Sequence, residues 1–450
     1  MRHLTFCAIA LLAMLNCTDS SSNSGEEEVY TPPIPPGFEC VDGLSAGTYP
    51  CNNIDLVARV SASELRGSNL NDIWGWKDPQ TEKEYALVGL TDGVTFVDVT
   101  NPDEPIVVGK LPESNISAKY KVLTDPNYEA CQIGIGETEY SKNLQKGSAW
   151  RDHKVYNNHL YIGSDSQPHG VQVFDLTKLR GYNGSFIEFN DDNLYAGLAN
   201  SHNIVINEET GFLYATGATN ADTCNTAGLH ILDLSTPSDP VFAGCYEDAT
   251  PPRRSEGSAY IHDAQCVIYN GPDTEHAGKE VCFNAAERSL AIADVTDKQN
   301  LQTLGFATQP YMYYAHQGWL TEDQQYFIMN DELDEINLGR NTKSYVFDVR
   351  DLDNPVFIDY YTHNTFSIDH NMYVKGDYVY ASNYNSGLRI LKMDNIAEAD
   401  LSLAAFFDTQ PASDQNNFSG AWSVYPYFDS GTVIVSDIAD GLFILKPNLN

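Results

Sequence analysis

Positive charge is scarce in this chain. Across 450 residues, 26 Lys and Arg stand against 62 Asp and Glu, a formal net charge of −36. Such a surface repels phosphate, so nucleic acid is excluded as a partner, while cations are attracted and solubility in salt is favoured. Long apolar runs are missing as well. The run from Leu4 to Leu15 is twelve residues, too short to cross a bilayer as a helix. Helical periodicity is almost absent, which argues against a helix bundle or an alternating α/β fold. Nor is there a P-loop, a dinucleotide-binding glycine fingerprint, an H-E-x-x-H or a paired C-x-x-C. "GLSAG" (43–47) fits G-x-S-x-G, but it lies in a Gly- and Pro-rich stretch and reads as a chance match.

What is present begins with an export signal. Arg2 precedes the short apolar run, Cys17 follows "AMLN", and the polar tract "TDSSSNSGEEE" comes next. This resembles a bacterial lipoprotein leader, with residues 1–17 as the signal and Cys17 as the lipidated residue. Residues 18–50, with "TPPIPPG", read as a flexible tether. Residues 51–450 then form the folded domain. Export implies an oxidising compartment, where cysteines pair. Of the nine cysteines, the expected bridges are Cys40–Cys51, Cys224–Cys245 and Cys266–Cys282, leaving Cys131 over in an irregular insertion.

The folded part is repetitive. "DGVTFVDVTNPDEPIVVGKL" (92–111) compares with "AGLHILDLSTPSDPVFAGCY" (227–246), "RSLAIADVTDKQNLQTLGFA" (288–307) and "KSYVFDVRDLDNPVFIDYY" (343–361). Shorter copies begin at His169, Ser386 and Asp440, making seven. Two further strand-like runs precede each copy. A four-stranded unit of ~40–50 residues is the signature of a propeller blade. The seventh copy stops one strand short, and "NIDLVARVSA" (53–62) has no unit of its own. An all-β, seven-bladed β-propeller is therefore expected, its last blade closed by an N-terminal strand. Asp98, Asp175, Asp233, Asp294 and Asp348 end the third strands and suit turn capping better than catalysis. Lys392 and Lys446 fill that slot in the last two copies.

"VTFVD", "LHILD", "LAIAD" and "SYVFD" look like LVIVD repeats. "HDAQCVIYNGPDTEHAGKEVCFNAAE", "HQGWLTEDQQYFIMNDELDE", "DHNMYV" and "NFSGAWSVYPYF" resemble the choice-of-anchor B family of exported bacterial proteins. The resemblance spans roughly residues 50–447. It implies a propeller held at the cell surface or secreted, and supplies no reaction.

Aligning the units on their first strands places Trp74, His153, His202, His262, His316, His370 and Trp422 in one slot. Innermost strands bring this slot to one mouth of the central channel. The hairpins between second and third strands open on the same face and add Asp165, His169, Glu287, Asp331, Glu332, Asp437 and Asp440. Three readings stand. The histidines tie blades together; or they hold a divalent metal, zinc or calcium, with His262, His316 and His370 as the best trio and Glu287, Asp331 and Glu332 completing the shell; or they bind a metal-free ligand with His153, His169, His202, Asp165 and Asp437. Asp152, Asp263 and Asp369 adjoin slot histidines and would face away from them on a strand, as orienting partners rather than ligands. "DELDE" lacks the EF-hand spacing and reads as a solvated acidic loop. The function expected is a surface binding module for a small ligand or a surface protein, touching membrane only through its lipid. The alternatives are a metal-dependent lactone or ester hydrolase using the same rim, and a structural surface-layer component.

Overall fold

The computed structural model describes residues 37–114 and 147–449, apart from 167, 220–222 and 226. The leader, Cys17, most of the tether and Cys131 lie outside the described residues. Seven sheets follow one another along the chain, antiparallel except where Ile187–Glu188 adds a short parallel strand to the first, against Gly109 and Lys110. Blade 1 begins at Leu70–Lys77, blade 2 at Arg151–Tyr156, blade 3 at Asn203–Asn207, and blade 4 at Asp263–Ile268. Blade 5 begins at Ala315–Leu320, blade 6 at Met372–Lys375 and blade 7 at Ala421–Tyr425. Blade 7 takes its fourth strand from Ile54–Val60, paired antiparallel with Gly441–Pro447. The ring closes as the repeat count requires, and an open sheet edge is removed.

Third strands such as Leu229–Asp233 are apolar without alternation because neighbouring blades cover both faces. In five blades this strand ends in an aspartate whose carboxylate accepts the amide two residues on. The donors are Thr100, Thr177, Ser235, Thr296 and Arg350 for Asp98, Asp175, Asp233, Asp294 and Asp348. These aspartates build turns. In six blades the register between the third and fourth strands slips at one place, for example at Ile231/Leu232, Ile292/Ala293 and Val346/Phe347. Such bulges add the twist an outer strand needs. Glycine lies close by for a steric reason. A Cβ on Gly244 would lie 2.2 Å from the Lys298 carbonyl of the next blade's turn, and one on Gly305 would lie 2.6 Å from that of Asp353.

Two expectations need correction. Residues 37–50 are part of the folded body: Phe38 bridges Leu56, and Tyr49–Asn52 adds a further strand to blade 6 against Phe406 and Phe407. Their loop-like composition hid an order that comes from partners ~350 residues away in sequence. The "DELDE" run is not a solvated loop either. Its second half forms a short helix, Asp334–Leu338, in which Asp334 and Glu335 are buried. Asp334 accepts from Arg340 and from the Tyr345 hydroxyl.

Disulfides join Cys40 to Cys51, Cys224 to Cys245 and Cys266 to Cys282. Cys266 and Cys282 face each other on adjacent strands, whereas Cys224 lies in the hairpin before a third strand. No helix among the described residues is long and apolar enough to cross a membrane.

Candidate functional site

Four of the five slot histidines gather around the channel axis. The ring centroids of His202 and His262 are 4.3 Å apart, those of His262 and His316 are 4.1 Å apart, and those of His316 and His370 are 4.5 Å apart. Backbone from the next blade orients two of them. His262 Nδ1 lies 2.8 Å from the His316 carbonyl, and His370 Nδ1 lies 2.6 Å from the Trp422 carbonyl. A carbonyl only accepts, so Nδ1 carries the proton and Nε2 presents a lone pair. His316 Nδ1 is buried without a hydrogen-bond partner.

Glu332, at the end of blade 5's second strand, reaches into this group. Its carboxylate lies 3.7 Å from His316 Nε2 and 3.6 Å from His370 Nε2. The three ligand atoms lie within 4.8 Å of one another, with both imidazoles buried. Neither gap is a hydrogen bond. The His370 nitrogen and the carboxylate oxygens are acceptors, and the His316 nitrogen becomes a third when its proton sits on Nδ1, so the group converges on a point that suits a cation or a proton. Bonds of about 2.0–2.2 Å in tetrahedral geometry separate ligand atoms by roughly 3.3–3.6 Å; the two imidazoles approach different Glu332 oxygens, at 3.7 and 3.6 Å, so a small turn of the carboxylate would bring one oxygen to a shared ion.

The electrostatics agree. Burial, followed by the other imidazoles, holds His262 and His316 well below the ordinary histidine range. Burial takes His370 down to about 3. These rings are neutral and fit to ligate. Burial pushes Glu332 up to about 7, against the hydrogen bond it accepts from the Tyr384 hydroxyl at 3.1 Å. His202 differs. Burial works against its charge, but the Asp165 carboxylate, 2.9 Å from Nδ1, outweighs that and raises it.

The other candidates lie elsewhere. His153 turns its Nε2 to the Leu87 carbonyl of blade 1 at 2.8 Å, tying two blades, and burial lowers it to about 4. His169 accepts from Arg151 Nη1 at 2.8 Å and bonds the Gly170 carbonyl, so it anchors a buried guanidinium. Asp331 accepts the amides of Tyr313 and Tyr314, and Glu287 accepts that of Arg254. Asp437 takes the amides of Ala439 and Asp440. None of these joins the His316–His370–Glu332 group. Of the neighbouring aspartates, Asp152 accepts the Ile204 amide and pairs with Lys154, and Asp263 accepts the Ala264 amide.

Sequence reasoning passed over Tyr384. It occupies the hairpin between the second and third strands of blade 6, the counterpart of the turn carrying Glu332, so the same alignment could have found it. It also missed Trp150, which with the slot residue Trp422 borders a cavity of about 330 Å³ beside Glu332.

The LVIVD repeat family model matches residues 223–248, which hold the third and fourth strands of blade 3. No curated protein matches. Among solved structures, the β-propeller domain of Cps50 (Swd1) from Myceliophteria thermophila is 12% identical, with 87% of this chain and 99% of that one covered at a TM-score of 0.50. A protein from Lactobacillus plantarum is 11% identical, with 82% and 88% covered at a TM-score of 0.48. At such identity the likeness to the propeller domain speaks of fold alone. This chain is a seven-bladed β-propeller with an LVIVD repeat.

Proposed function

We propose that this propeller is an exported, surface-displayed interaction module of the choice-of-anchor B type, tethered through Cys17, that holds a zinc ion at one channel mouth. His316, His370 and Glu332 are the ligands. Two nitrogens and one oxygen suit zinc better than calcium, which takes six to eight oxygens. The observation that carries the reading is the meeting of three ligand atoms within 4.8 Å, two of them on buried imidazoles. The Trp422 carbonyl holds the His370 ring in the tautomer a ligand needs. An ion held there would lie beside the cavity that Glu332 lines, where a carboxylate or imidazole of a small ligand or protein partner could complete its shell. Elemental analysis of protein purified without chelator tests this. One zinc per chain, lost in His316→Ala with the fold intact, supports it; a metal content unchanged by the substitution sinks it.

A second reading rests on His202. Its Nδ1 is bonded to Asp165 and its ring abuts His262, so it is placed as a general base near a metal-activated water. The activity would be lactone or ester hydrolysis. Turnover of such a panel that disappears with the metal and in His202→Ala favours it over pure binding.

A further inference from the structure

The opposite mouth of the channel is built differently. The far ends of the innermost strands enclose a cavity of about 790 Å³, within the size range of small-molecule sites. One wall is an unbroken run of aromatic rings from blades 5, 6, 7 and 1. Trp319 meets Tyr373 at 5.0 Å, Tyr373 meets Trp74 at 5.7 Å, Trp74 meets Tyr425 at 5.1 Å, and Tyr425 meets Tyr427 at 5.5 Å. All four contacts are edge-on, so successive rings are steeply inclined to one another; Tyr427 also lies 6.2 Å from Tyr373 and 6.5 Å from Trp74, and Trp319, Tyr425 and Tyr427 are the rings that keep a half-buried surface toward the cavity. Blades 3 and 4 supply the facing wall, with Glu208, Asp263 and Gln265 among its side chains.

The charge on this cavity narrows its ligand. Lys154 lies toward its floor, with Nζ 4.6 Å from the centre of the Trp74 ring. The same ammonium is 2.6 Å from Asp152 and 3.5 Å from Asp72. A cation thus already covers an aromatic face and is already neutralised, so nothing at the floor calls for a second one. Anions are turned away by the net charge of −36. What fits is an uncharged molecule with an apolar flat face and a hydroxylated edge. The C–H face of a pyranose meets the electron-rich face of an aromatic ring, and its hydroxyls donate to carboxylates and amides on the other side.

We propose that this mouth binds neutral oligosaccharide. The inference is independent of any metal at the histidine mouth. The full-length protein is titrated with neutral hexasaccharides of the β-glucan, mannan, xylan and chitin series, read by tryptophan fluorescence and calorimetry, with tetramethylammonium as the cationic control. Saturable binding of at least one series is expected. Trp319→Ala should weaken it tenfold or more, and so should Glu208→Gln, an exposed position that leaves folding untouched. His316→Ala and chelator should leave it unchanged. Absence of binding to every series at 10 mM (about −3 kcal/mol or weaker) overturns the proposal. So does binding that survives Glu208→Gln and Trp319→Ala, or tetramethylammonium binding in place of sugar.

Discussion

Replacing Glu332 by Gln tests this convergence directly, because the metal-free variant should be the more stable and its response to zinc should be lost. In the metal-free protein above neutral pH, a carboxylate faces two imidazole nitrogens across 3.6 and 3.7 Å. A glutamine can keep the Tyr384 hydrogen bond on its oxygen and turn its amide N–H groups to the imidazoles. The magnitude follows from the raised affinity of Glu332 for its proton. Its ordinary value of 4.5 goes up to about 7 in the fold. At about 1.4 kcal/mol per pH unit, stability of roughly 3 kcal/mol is fully present below pH 4.5 and lost as pH rises through 7. Glu332→Gln removes that loss. Unfolding entropy near 2.1 cal/mol/K per residue over roughly 400 residues gives about 0.8 kcal/mol per degree. Metal-free Glu332→Gln should therefore melt up to about 4 °C above metal-free wild type at pH 8, with the difference closing toward pH 4.5. Zinc at a hundred times Kd should raise wild type by about 2.7 kcal/mol, near 3 °C, and the variant by little. Differential scanning fluorimetry at both pH values, with chelator and with zinc, reads all four states. A metal-free variant that melts below wild type at pH 8, or one that gains as much from zinc, refutes the reasoning.

Other outcomes follow from the frame. Leu56→Ala opens a void in the closing strand, where Leu56 is fully buried, and should cost about 2–5 kcal/mol in urea unfolding; a loss under about 1 kcal/mol would mean the closing strand carries little of the fold. Arg180→Ala strands the buried Asp78 carboxylate, which the guanidinium holds below the usual carboxylate range. Urea unfolding at pH 7 should show the loss. Because the folded value is depressed, the pair's contribution begins to fall away as pH drops below about 4 and is gone only below the folded value, so variant and wild type should converge progressively in acid. Peptide mapping without reductant should recover the three disulfide-linked pairs. Reduction should lower stability by about 3 kcal/mol per bridge while leaving zinc content unchanged.

The ring and its closing strand could be read because each blade repeats one apolar strand, ending in a turn-capping aspartate in five of the seven, and because one strand was missing at one end and spare at the other. Equal spacing likewise brought His202, His262, His316 and His370 to one mouth. Spacing says which backbone positions are equivalent, not where each side chain turns. His153 and His169 occupy expected positions, yet the Leu87 carbonyl and Arg151 draw them into the frame. Glu332 and Asp331 are adjacent with opposite fates, since successive residues face opposite ways and only the first meets the imidazoles. Tyr49–Asn52 was illegible for another reason. Locally it pairs with a strand of just two residues, Leu44–Ser45, and its place is set by Phe406 and Phe407 and the disulfide to Cys40.

That disulfide has a mechanical consequence. A pull arriving at Cys40 is passed across sulfur to Cys51, so the eleven-residue separation between them takes no tension. The load then enters the outer strand against Phe407 and the closing strand against Gly441–Pro447. Wherever the amino end is fastened, drag on the body is received at the seam of blades 6 and 7, and the two mouths lie away from the line of force.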